Sequence, residues 1–214
     1  MKIKLVFVVL ALMLINTKIY ANDGKNLENE ILYIRYNVTA IEHNYSVNNK
    51  AAKTKAYGNL IEKADKLIAD YPNAAEPYLW KAISLSGQAK YKGATALANV
   101  KSAKSLLEKS ISINPKASNA AAYNTLGILY HKVPAWPVAY GDDAKAEAYF
   151  QKALSISSNL DTNYRYGEFL IDTNAQNKGI SYLKKALAFP DRPNRKEDSL
   201  KKEDIKALLK KYNN

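Results

Sequence analysis

The chain of 214 residues has no cysteine, two histidines, two methionines and eight glycines. Without cysteine there can be no disulfide framework, thiol nucleophile or Cys-rich zinc site. His43 and His131 stand alone, with no His-x-x-x-His pair and no neighbouring carboxylate cluster, so no metal site is expected. A P-loop, a Gly-x-Gly-x-x-Gly turn, a nucleophile elbow and a Ser-His-Asp order are all missing. The adjacent pair Asp142-Asp143 follows Gly141 at a helix start. Neighbours in such a position cap a helix and do not face each other across a substrate. The expectation is a protein that acts without catalysis, cofactor or metal.

Long apolar runs are equally scarce. The one clear example is Leu5 to Ile15, preceded by Lys2 and Lys4 and followed by the polar exit Asn16 to Ala21. It is too short to span a bilayer and suits the apolar core of a secretory signal. Ile19-Tyr20-Ala21 places a small residue at the cleavage position, so residues 1–21 are read as a signal peptide cleaved after Ala21. With no cysteine to carry a lipid anchor, the mature product is expected in the periplasm.

What the chain has in excess is positive charge, 32 Lys and Arg against 20 Asp and Glu, for a net +12. Loss of Lys2, Lys4 and Lys18 with the signal leaves +9. For an exported chain this argues against nucleic acid as a partner and toward envelope polymers or proteins, while an even spread of lysines serves to solvate helix faces.

Apolar residues after the signal repeat with a helical period. Leu27, Ile31, Ile34, Val38, Ile41 and Tyr45 form one stripe, and Tyr57, Leu60, Ile61, Ala64, Leu67 and Ile68 form a second that closes at Tyr71-Pro72. Pro77, Ser118, Asp142-Asp143 and Asp161 mark expected helix starts; Gly87, Pro115, Pro134 and Pro190 mark expected breaks.

A pattern of paired helices then recurs. Tyr123, Leu126, Gly127 and Tyr130 precede Ala146, Phe150, Ala153 and Ile156. Tyr166, Gly167 and Leu170 precede Gly179, Leu183, Ala186 and Phe189-Pro190, and Tyr78, Ala82 and Leu85 precede Ala103, Leu107, Ser110 and Asn114-Pro115. Small residues at Ala82, Gly127 and Gly167, and at Ala103, Ala146 and Gly179, allow the two backbones of a hairpin to approach. One hairpin cannot bury its own stripe, so hairpins must stack.

These positions resemble the tetratricopeptide-repeat (TPR) superfamily over residues 56–190. The resemblance implies an all-α, right-handed superhelix of antiparallel helix hairpins. The expected organisation is an N-terminal hairpin over 22–72, repeats over 73–190, and a linker with a capping helix over 191–214. Spacings of nineteen from Gly127 to Ala146 and twenty-one from Ala82 to Ala103, against twelve from Gly167 to Gly179, predict two enlarged turns and a lengthened second helix after Gly87. The Pro-framed aromatic loop 131–143 resembles exported bacterial repeat proteins, including the T-component that accompanies TRAP-type solute transporters, and the Ala188-Phe-Pro-Asp-Arg-Pro-Asn-Arg195 tail is similar to the end of other bacterial repeat proteins.

The resemblance also implies where a partner binds, on the inner face of each first helix. Spacing maps this face to Leu79, Ile83 and Ser86, then Asn124, Ile128 and His131, then Tyr164, Glu168 and Ile171. Trp136 and Tyr140, between Pro134 and Pro137, form a second candidate contact. The Lys and Asn set by which some relatives clamp a C-terminal carboxylate is missing. The functional expectation is an exported interaction module that binds a protein or peptide in its groove. An accessory of a solute transporter that holds a small molecule is the alternative, and it requires an enclosed pocket in place of an open groove. N-terminal helices curling into the groove would alter either reading.

Overall fold

A computed structural model of the chain describes residues 24, 26–46 and 48–212. The signal-peptide reading of residues 1–21 lies outside them. The described residues form helices joined by short connections, with no strand among them. In order these are α1 (26–44), α2 (Lys50–Asp70), α3 (Ala75–Ala89), α4 (Ala96–Ile113), α5 (Ala121–Lys132), α6 (Asp143–Ile156), α7 (Leu160–Asp172), α8 (Gln176–Ala188) and α9 (Glu197–Tyr212). A 3₁₀ turn at Gly93–Thr95 leads into α4.

The pairs α3/α4, α5/α6 and α7/α8 form hairpins that stack in sequence order, closest in α3/α4 and α7/α8, and α2 packs on α3 as closely as α5 does on α6. The small residues explain why. A Cβ placed on Gly127 would lie 2.9 Å from the Phe150 ring, and one on Gly167 would lie 2.9 Å from Leu183 and 3.1 Å from the Gly179 carbonyl oxygen. Ala82, Ala103, Ala146, Ala153 and Ala186 are fully buried at the same helix contacts. The residues filling the space beside them include Leu107, Leu126, Phe150 and Leu183. Each side chain of this size contributes about 1.5–3 kcal/mol on leaving water.

Helix ends follow local chemistry. Asp142 caps α6 by accepting from the Lys145 N–H. Asn159 and Thr162 form a reciprocal capping box at α7, so Asp161 stands in the first turn of that helix and not at its cap. Pro77 sits inside the first turn of α3, where its missing N–H costs nothing. Ser118 does not cap α5: Ser118, Asn119 and Ala120 are three successive left-handed residues, with φ of 46°, 61° and 64°, that turn the chain before the helix begins. Gly87 is not a break either. It lies within α3, where an added Cβ would sit 2.4 Å from the Tyr57 ring of α2.

As expected from the first enlarged turn, α4 is long, 18 residues against 13 in α8. The array ends on α9, whose Ile205 and Leu209 join Leu160, Tyr164, Leu183 and Ala186 in a second apolar cluster. The first cluster runs from Ile31 and Ile34 of α1 to Phe169 and Leu170 of α7.

Candidate functional site

The concave side of the stack is not an open trough, because α1 reaches across to the chain's other end. The Arg35 Nη2 donates to the Asn194 carbonyl oxygen at 2.7 Å. Its Nε lies 2.8 Å from Glu197 Oε1, an ion-pair contact off the angle of a hydrogen bond. Farther along α1, His43 Nε2 is 3.4 Å from Asp204 of α9. Between α1 and the inner faces of α3, α5 and α7 lies a cavity of about 860 Å³.

One end of α1 is held by a polar hub. Glu42 accepts from the Tyr57 hydroxyl at 2.8 Å and from Lys53 at 3.1 Å, from Lys90 at 3.3 Å, and from the Tyr91 hydroxyl. Burial alone would raise the Glu42 pKa, but Lys90 and these hydrogen bonds prevail and lower it to about 2. Burial together with the Glu42 charge pushes the Tyr57 and Tyr91 hydroxyls well above the ordinary range.

A second polar cluster forms around Asp161, in the first turn of α7, which gathers cations. It accepts from Lys201 at 2.5 Å and Arg192 at 2.9 Å, with Arg195 at 3.7 Å. Burial opposes its charge, yet Lys201 and Arg192 hold its carboxyl well below the usual carboxylate range. Arg165 pairs with Glu168 at 2.6 Å one turn along. Arg165 also lines the cavity, and 37% of its side chain is accessible.

Of the residues mapped by spacing, Ile83, Ser86, Asn124, Ile128, His131 and Glu168 line the cavity. His131 lies between two carboxylates, with Nδ1 2.6 Å from Asp143 and Nε2 3.3 Å from Asp172, and its ring meets the Phe169 ring edge-on at 5.1 Å. Leu79 is core, fully buried away from the cavity lining. Tyr164 and Ile171 also lie off the lining, packed into the second cluster around α8 and α9. The inner face of α7 is instead Asp161, Arg165, Glu168 and Asp172. This face is rotated from the mapped one because α9 draws Leu160 and Tyr164 toward itself.

The loop 133–142 splits its two aromatics. Trp136 is 86% exposed and precedes a cis bond to Pro137, with Val138 exposed beside it. Tyr140 folds inward: its hydroxyl donates to the Val100 carbonyl oxygen at 2.9 Å and its ring meets Tyr130 edge-on at 5.3 Å. Tyr140 thus joins the loop to α4 and is no free contact.

Sequence reasoning missed Arg35, Trp80, Arg165 and Arg195 as cavity residues. Two polar atoms on cavity-lining residues, Trp80 Nε1 and Asn124 Oδ1, are buried with no hydrogen-bond partner among the described residues. No group of three or more His, Asp or Glu among those residues is placed to hold a metal ion. None of their helices is long and apolar enough to cross a membrane.

No family model matches the chain, and no curated protein matches it. Among solved structures, it is similar to a thermophilic TPR protein of Thermus thermophilus, with a TM-score of 0.58 over 82% of this chain and 88% of that one. Identity between the two is 16%, so the likeness is one of fold. The architecture of this chain is that of an all-α, TPR-like right-handed superhelix.

Proposed function

We propose that this chain is an exported, periplasmic binding module that acts without catalysis and holds a compact ligand inside its superhelix. The cavity of about 860 Å³ carries this reading. Its size falls in the range of small-molecule sites, roughly 300–1,000 Å³. A long peptide laid along α3, α5 and α7 would have to displace α1 and its contacts with Asn194, Glu197 and Asp204. The resemblance to the T-component of TRAP-type transporters accords with an accessory that holds a solute for an envelope partner.

A second reading, a protein-interaction module, is favoured by Trp136. A large aromatic held out on a Pro-framed loop, with Val138 beside it, is suited to anchor a protein contact.

Native mass spectrometry and thermal shift of the full chain against a metabolite pool test the first reading. The expected result is a retained small molecule and a higher Tm, both lost in a folded Ile128→Trp variant that fills the cavity. No added mass and no shift with any compound would overturn it. Loss of an envelope-protein crosslink on Trp136→Ala would then support the second.

A further inference from the structure

The cavity walls differ in chemistry. Ile83 of α3, Leu97 and Val100 of α4 and Ile128 of α5 form an aliphatic surface beside Trp80. The wall built by α7, the 192–196 connection and α9 carries Asp161, Arg165, Glu168, Arg195 and Lys201, and Arg35 of α1 closes on it.

Charges on that second wall do not cancel pair by pair. Arg165 is matched by Glu168, Arg35 by Glu197, and Arg192 by Asp198. Lys201 donates to Asp161 Oδ1. Asp204, farther along α9, faces His43. Arg195 is left over. Its Nη1 lies 3.7 Å from Asp161 Oδ2, an oxygen that Arg192 already holds at 2.9 Å, and its side chain makes no hydrogen bond among the described residues. That side chain is 15% exposed. Its pKa is lowered by burial first and then by the repulsion of Arg192 and Arg35, against the pull of Asp161 and Glu197.

A nearly buried guanidinium with a shared, distant counter-ion is costly, and a planar anion placed against its fork removes that cost. We infer that the cavity takes an amphiphilic monoanion, with its carboxylate on Arg195 and its apolar body on the Ile83, Leu97 and Ile128 surface. A monoanion fits because one guanidinium of this wall, Arg195, has no carboxylate of its own. An apolar body fits because the aliphatic surface offers few polar partners. This inference rests on the proposed ligand site and names the class of ligand it accepts.

Trp80 supplies the readout. The chain has two tryptophans, so in a Trp136→Phe background fluorescence reports Trp80 in the cavity wall. Decanoate, decanol and decyltrimethylammonium are titrated below their micelle concentrations into the full chain, then into Arg195→Gln and Arg195→Lys variants. The expected result is decanoate binding at least ten-fold tighter than decanol. Arg195→Gln should abolish that preference with decanol binding unchanged, and Arg195→Lys should restore part of it. If Arg195→Gln does not fold, Arg195→Lys and the decanoate-to-decanol ratio in the parent chain decide the matter. Equal affinity for decanoate and decanol, or no effect of Arg195→Gln, would overturn the anion class and leave the cavity as a ligand site. So would a thermal shift with neutral or cationic metabolites in the absence of any decanoate response. Silence from every probe and every metabolite would overturn both.

Discussion

Arg35 and Asn194 are 159 positions apart, yet the guanidinium of one donates to the carbonyl of the other at 2.7 Å. The same side chain lies against Glu197, which is 1% exposed, so the two ends of the repeat array meet over a buried charge pair. Removing the arginine strands that carboxylate. Arg35→Ala is expected to cost about 3 kcal/mol, since breaking one side of a buried pair leaves the other uncompensated. Urea unfolding measures it, and a paired Arg35→Met, Glu197→Leu variant should lose clearly less.

Acid should loosen the C-terminal part of α1, around Glu42. The Glu42 pKa is lowered from 4.5 to about 2, with the effect of burial overcome by Lys90, Tyr91, Tyr57 and Lys53. A carboxylate with a depressed folded pKa stabilises fully above its unfolded value and loses that contribution as pH falls through its folded one. Its share of stability therefore disappears between about pH 4.5 and about pH 2. Urea midpoints taken across this window should fall more steeply in the parent chain than in Glu42→Gln; parallel curves would count against the hub.

Two helical glycines should respond with opposite signs. A Cβ on Gly58, inside α2, meets only the Gln88 amide nitrogen at an ordinary 3.5 Å. Gly58→Ala is expected to stabilise by up to about 1 kcal/mol, the difference in helix propensity. A Cβ on Gly87 would meet the buried Tyr57 ring at 2.4 Å. Gly87→Ala is expected to destabilise by about 1–3 kcal/mol, as overpacking does. Thermal unfolding of the two variants checks the pair.

At the start of α7 the Asn159 side chain accepts from the Asp161 and Thr162 N–H groups while Thr162 returns a bond to Asn159 N–H. Asn159→Ala should cost about 1 kcal/mol by removing the cap. Because α7 carries Asp161 and Arg165, the same change should also weaken ligand retention, which titration in the Trp136→Phe background can follow.

Intact-mass analysis of the chain recovered from the periplasm of an expressing bacterium tests export. The expected species begins at Asn22; a mass that retains residues 1–21 would place cleavage in doubt.

The repeat pattern was legible because close helix approach demands small side chains, and Gly127, Gly167, Ala82 and their partners could be read directly as such. The long α4 followed from the spacing together with the helix-compatible run Ala94 to Val100. The inner face of α7 was not legible, since eight of its 13 residues are buried and periodicity does not say which buried side meets a cavity and which meets the next helix. Tyr164 was assigned to the cavity side and packs against the α9 cluster instead. Nor could the pattern show that α1 bridges to residues 194–204, because that meeting depends on the accumulated curvature of every hairpin between them. Arg195 belonged to a tail that sequence reading valued only for its likeness to other proteins; its lack of a full counter-ion is a three-dimensional fact.

A linear stack of repeats ordinarily frays from its termini, each unit leaning only on its neighbours. Among the described residues, joining α1 to the tail ties the first helix of this stack to its last. Severing that junction should convert one sharp unfolding event into a graded one that begins at the outermost repeats.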